Sequence, residues 1–76
     1  MNNRIEINPN ICHGKPIIRK TRVLVSNVLA DLAKGYSHDK VMENYPNINE
    51  EDIRAVLAFS SELTQFEEIP SEPITK

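Results

Sequence analysis

The sequence predicts a mainly helical domain: a three-helix, helix-turn-helix-like bundle preceded by a short N-terminal β-arm or hairpin. Three observations carry that expectation. From Ser26 onward apolar residues recur at helical spacing in three blocks. Gly35 and Pro46 separate the blocks, and a capping residue precedes each one. Before Ser26 the pattern changes to short alternating or β-branched runs. The expected division is a domain of residues 1–66, made of a β-arm (1–25) and a helical core (26–66), followed by a flexible acidic tail (67–76).

Taken in order, Arg4-Ile5-Glu6-Ile7-Asn8 alternates polar and apolar and reads as a strand with Ile5 and Ile7 on one face. Asn8-Pro9-Asn10 ends it, and Cys12–Pro16 is loop, with Gly14 free to take a positive φ. Ile17-Ile18 and Arg22–Val25 flank Arg19-Lys20-Thr21 as the arms of a tight hairpin, too short to stand without a covering helix or partner sheet.

Ser26 is the expected N-cap of a helix over Asn27–Lys34, with Val28, Leu29, Leu32 and Ala33 inward and Gly35 at its end. Ser37 caps a second helix, His38–Asn44, which Pro46 stops. Asn49 opens the third, running to Phe66, with Asp52 reaching back as in a capping box. Its stripe is Ile53, Val56, Leu57, Ser60 and Leu63, with Ala55 and Phe59 beside it. After Phe66 the periodicity disappears into two prolines, three acids and two isolated isoleucines.

Composition bounds the function. A chain of 76 residues supplies one modest core, so oligomerisation is expected. The single Cys12 excludes an internal disulfide framework and fits a reducing cytoplasm. No signal-peptide pattern follows Met1 and no apolar run reaches membrane length, so the expected location is cytoplasmic, with no membrane partner. The net charge of −2 hides a division: residues 1–24 carry five cations against Glu6 alone, and residues 25–76 carry four against ten acids. That asymmetry predicts a basic contact surface on an acidic body, or opposite ends that attract each other between subunits.

Two nucleic-acid surfaces compete. In a helix-turn-helix reading the third helix would enter the major groove, yet its first residues, Glu50, Glu51 and Asp52, would then face a polyanion. The better candidate is the cluster Lys15, Arg19, Lys20 and Arg22, because a two-stranded ribbon can carry cations to phosphates or guanine edges. The bland alternative is a solvated edge whose charges discourage aggregation, or an interface with acidic helices. Cys12-His13 lacks the further ligands a zinc site needs, and adjacency in sequence does not make a nucleophile–base pair. Neither a metal, a cofactor nor a catalytic residue is expected, and the chain does not read as an enzyme.

The segment Cys12-His13-Gly14-Lys15-Pro16-Ile17-Ile18-Arg19-Lys20-Thr21-Arg22 through Val25 resembles the hallmark of domain of unknown function family 433: Cys-x-Gly-Lys-Pro-x-Ile-Arg-x-Thr-Arg-x-x-Val. Leu29, Leu32, Ala33, Gly35, Tyr45-Pro46 and Glu51–Ala55 also fall where that family places them, so the resemblance covers roughly residues 4–64. Lys20 stands where the family usually has Gly, and Leu24 where it usually has Pro. If that Gly is left-handed, Lys20 costs on the order of 1 kcal/mol.

The resemblance implies a homeodomain-like helical fold with an N-terminal β-arm, commonly dimeric, and similarity to antitoxins of VapB type beside PIN-like ribonuclease toxins. The expectation is therefore an antitoxin-like component of a type II toxin–antitoxin system. It would bind a PIN-like toxin and double-stranded operator DNA, and so regulate transcription of its own operon. Lys15, Arg19, Lys20 and Arg22 would contact DNA, and Thr21 would pin the turn. Ile5, Ile7, Ile17, Ile18 and Val23 would line the strand–strand or dimer contact. Glu67, Glu68, Ile69 and Ile74 of the tail would dock on the toxin. The competing expectation is a protein-interaction module that never touches DNA, favoured by the acidic start of the third helix.

Overall fold

Ile5, Ile18 and Val23 have few ways to leave water in so short a chain except beneath a helix. The computed structural model, which describes residues 2–65, puts them in one core with the helices, while Ile17 is buried outside that core. Strand β1 (Ile5–Glu6) pairs antiparallel with β2 (Ile17–Ile18), Ile5 opposite Ile18 and Glu6 opposite Ile17. Ile17 also bridges Leu24, and the Ile18 N–H donates to the Val23 carbonyl at 3.0 Å, which closes the expected hairpin as a third, minimal arm. Three helices follow: α1 (Val25–Ala33), α2 (His38–Asn44) and α3 (Glu50–Gln65). α1 packs on both other helices, and β1 lies on α3. Val28, Val41, Ile53 and Val56, all buried, form the centre of the core.

Helix boundaries follow local chemistry. The Ser37 hydroxyl accepts from the Lys40 N–H at 3.1 Å, so α2 begins as expected. At the end of α1, Gly35 has φ +93°, its N–H donates to the Leu32 carbonyl and that of Tyr36 to Asp31, a Schellman closure. Asn49 and Asp52 exchange backbone N–H and side-chain oxygen reciprocally at 2.9 Å each, the reach-back expected of them.

Three details differ from the sequence expectation. α1 starts at Val25 rather than after a Ser26 cap, because the Val25 N–H is already taken by the Pro16 carbonyl of the β-arm at 3.0 Å. Ile7 is 52% exposed, since β1 ends at Glu6 and the chain turns away before it is covered. On α3 the buried set is Asp52, Ile53, Ala55, Val56 and Phe59, while Leu57 and Leu63 are exposed. The N-terminal segment lies along Asp52 and Ala55, which rotates the buried face toward them, and residues 61–65 are all exposed. The end of α3 at Phe66 and the tail from Glu67 lie outside the described residues.

Candidate nucleic-acid interface

The hairpin turn is built around Thr21. Its N–H and hydroxyl both donate to the Ile18 carbonyl, at 3.0 and 2.7 Å, and its hydroxyl oxygen accepts from the Val23 N–H at 2.9 Å. A single side chain thus satisfies both arms of the turn, the role the sequence suggested for it. Lys20 has φ +68°, the left-handed backbone anticipated from the departure at that position. Arg19 is held from behind: its N–H donates to the Arg4 carbonyl and its Nε to the Asn3 carbonyl, each at 2.7 Å.

Arg19, Lys20 and Arg22 therefore share one turn, and all three are exposed. Lys15, also exposed, does not join them. It precedes Pro16 at the other end of the paired arms, about 13 Å along the strand from Arg19. Among the described residues none of the four meets a carboxylate within ion-pair distance.

Lys15 follows a single turn in which Cys12, His13 and Gly14 all have positive φ, at 51°, 58° and 79°. Only Gly14 takes that conformation without a Cβ penalty. The turn is closed by bonds from the Gly14 N–H to Ile11 and from the Lys15 N–H to Cys12. Cys12 is half-buried and His13 exposed, and among the described residues no three of His, Cys, Asp and Glu converge as a metal site would require.

Sequence reasoning missed Asn2, Asn3 and Arg4. The Asn2 side-chain amide donates to the Ala55 carbonyl of α3 at 2.9 Å, and Arg4 grips Asp52 at 2.8 Å and Glu51 at 2.9 Å. These three residues form a strap across α3, and with Glu51, Arg54, Ala55 and Ala58 they line a groove of about 460 Å³. The available signal was weak: an arginine next to a strand and an aspartate on a helix face otherwise apolar.

The strap alters the electrostatics at the start of α3. Glu51 and Asp52 are matched by Arg4, and Glu50 is 2.9 Å from His38 Nδ1 and 3.5 Å from Arg54. The hydrogen bond to His38, foremost, and the Arg54 guanidinium hold the Glu50 carboxyl below the ordinary glutamate range. All three acids that argued against a groove-facing α3 therefore have cationic or hydrogen-bonding partners. The residues Glu67, Glu68, Ile69 and Ile74 lie outside the described residues. Among the described residues no helix is long and apolar enough to cross a membrane.

Comparison with other proteins agrees with this architecture. The crystal structure of a DUF433 member protein from Anabaena variabilis superposes with a TM-score of 0.76 at 30% sequence identity, covering 84% of this chain and 63% of that one. The uncharacterized protein y4eO of Sinorhizobium fredii is 41% identical over 46 residues, 60% of this chain. The matched portion spans only 21% of y4eO, so the two share a module within a larger protein. The model of the family described as protein of unknown function DUF433 matches residues 5–60, from β1 to the middle of α3, and the chain belongs to that family.

Proposed function

We propose that this chain is the antitoxin-like component of a type II toxin–antitoxin pair, binding operator DNA through its β-arm and a PIN-like ribonuclease toxin through other surfaces. One observation carries the DNA reading. Arg19, Lys20 and Arg22 project from a turn locked by Thr21, with no carboxylate within ion-pair distance among the described residues, on a chain whose net charge is −2. A rigid cationic turn whose charges meet no carboxylate among the described residues is suited to phosphate oxygens. Lys15 extends the same charge toward the start of α1.

The toxin contact falls to the acidic tail, where Glu67 and Glu68 would compete for a metal-binding, RNA-facing groove and Ile69 and Ile74 would anchor. Dimer formation through the arm would cover Ile7. The proposed setting is the cytoplasm, and the chemistry requires neither a cofactor nor catalysis by this chain.

A second reading, a partner-binding module that never touches DNA, has its own observation. Leu63 is 53% exposed although it follows Val56 and Phe59 on one face of α3. An electrophoretic shift with the chain's own upstream DNA separates the two readings. Wild type and Arg19→Ala/Arg22→Ala are compared at two salt concentrations, with and without the neighbouring gene product. A specific shift lost in the variant supports the repressor. No shift at low salt, even with the neighbouring protein present, leaves the partner-binding module.

A further inference from the structure

The strap places a second polar surface directly beside the cationic turn. Arg19 is bonded to Asn3 through the Asn3 carbonyl, and Asn3 in turn lines the groove that Arg54, Ala55 and Ala58 of α3 complete. Turn, strap and outer face of α3 are therefore one continuous surface rather than two alternatives.

The groups in that groove are not equivalent. Arg4 is occupied by Glu51 and Asp52. The Asn3 side chain is exposed and makes no hydrogen bond among the described residues, while Arg54 is 72% exposed with only Glu50 at 3.5 Å. Ala55 and Ala58 leave the wall between them low, so a ligand can reach both without a bulky side chain in the way.

A carboxamide and a guanidinium are the two side-chain groups that pair bidentately with base edges, with adenine N6/N7 and guanine O6/N7 respectively. Unlike the cations of the turn, they are presented by elements fixed to the core. Asn3 is held by its carbonyl, and Arg54 rises from a helix that buries Ile53 and Ala55 on either side of it.

Resting on the DNA-binding reading above, we infer that Asn3 and Arg54 read base edges in the major groove of duplex DNA while the Arg19–Arg22 turn holds the adjacent phosphates. Asp52 is buried and bonded to Arg4, Glu51 shares that guanidinium and Glu50 is bonded to His38, which lessens the repulsion these acids offer to the approach.

The test is selection from a randomised duplex library, followed by binding of the selected duplex and of random duplex across a salt series. The proteins are wild type, Asn3→Ala, Arg54→Ala and Lys20→Ala/Arg22→Ala. All the altered side chains are exposed, and far-UV circular dichroism verifies that each variant is folded. Asn3→Ala and Arg54→Ala are expected to keep the salt slope of random-duplex binding and to lose on the order of tenfold discrimination each at their own base position. Lys20→Ala/Arg22→Ala, which leaves the bond from Arg19 to Asn3 in place, is expected to weaken all sequences alike and to reduce the slope by about 1.8. If Asn3→Ala and Arg54→Ala select the same sequence with the same discrimination as wild type, the inference is overturned while DNA binding by the turn stands. If wild type binds no duplex at low salt, both fall.

Discussion

Replacing Asp52 with alanine removes the point at which the N-terminal strap, the start of α3 and the core meet. One carboxylate oxygen accepts from the Asn49 N–H at 2.9 Å and the other from Arg4 Nη1 at 2.8 Å, on the one buried charged residue of the described chain. Loss of the capping bond costs about 1 kcal/mol. A charged bond in a dry site would add about 1.5–3 kcal/mol, but Arg4 is 44% exposed, which reduces its share to about 1 kcal/mol. Arg4 keeps Glu51, so no cation is left bare. The sum is about 2 kcal/mol, a large fraction of what a core this size provides, and lowers Tm by about 8–16 °C. Asp52→Asn retains an acceptor for Asn49 and should lose about half as much. Urea unfolding followed by circular dichroism, in a double-mutant cycle with Arg4→Met, measures both parts, and a coupling of about 1 kcal/mol is expected. Strict additivity with Arg4→Met, or an Asp52→Ala variant within about 0.5 kcal/mol of wild type, would refute the account.

Two further outcomes follow from backbone and charge. Lys20→Gly relieves a left-handed residue at φ +68°. The relief of about 1–2 kcal/mol is offset by about 0.5–1 kcal/mol of extra chain entropy, so thermal melting should show a net gain of about 0.5–1 kcal/mol, and an unchanged or lower Tm contradicts it. The Glu50 carboxyl is lowered in the folded state, chiefly by its hydrogen bond to His38. Its contribution is therefore fully present above the ordinary glutamate value of about 4.3 and is lost as pH falls through the lowered one. Urea midpoints against pH should decline in that acid window for wild type and decline less for Glu50→Gln, and identical profiles would remove the pair as a source of the slope.

Much of the helical half could be read from single residues, because caps act locally. Ser37, Gly35 and the Asn49–Asp52 exchange depend on neighbours three or four positions away, and each stands where the spacing put it. What escaped the sequence depends on distant chain. Ser26 lost its capping role to a carbonyl ten positions upstream, at Pro16. The buried face of α3 was misjudged at Leu57 and Leu63 because periodicity cannot tell where the rest of the domain ends or that a polar strap will lie over Asp52 and Ala55. Lys15 stands apart from Arg19, Lys20 and Arg22, and the part played by Arg4 was invisible without α3 beside it. Left-handed backbone at Cys12 carries no signature in the residue type, whereas His13 belongs to a type that visits it more often.

The strap also orders events in time. Its bonds join positions 53 and 48 residues apart, Asn2 to Ala55 and Arg4 to Asp52, so they can close only after α3 exists and the hairpin has turned back toward it. Contacts of such span, made by two polar residues at one end of the chain, close a longer loop than any other side-chain bond of the described residues. If the strap is still open in the folding transition state, stability added there lengthens the life of the native state and leaves the rate of folding nearly untouched, which unfolding and refolding rates of Asp52→Ala would show.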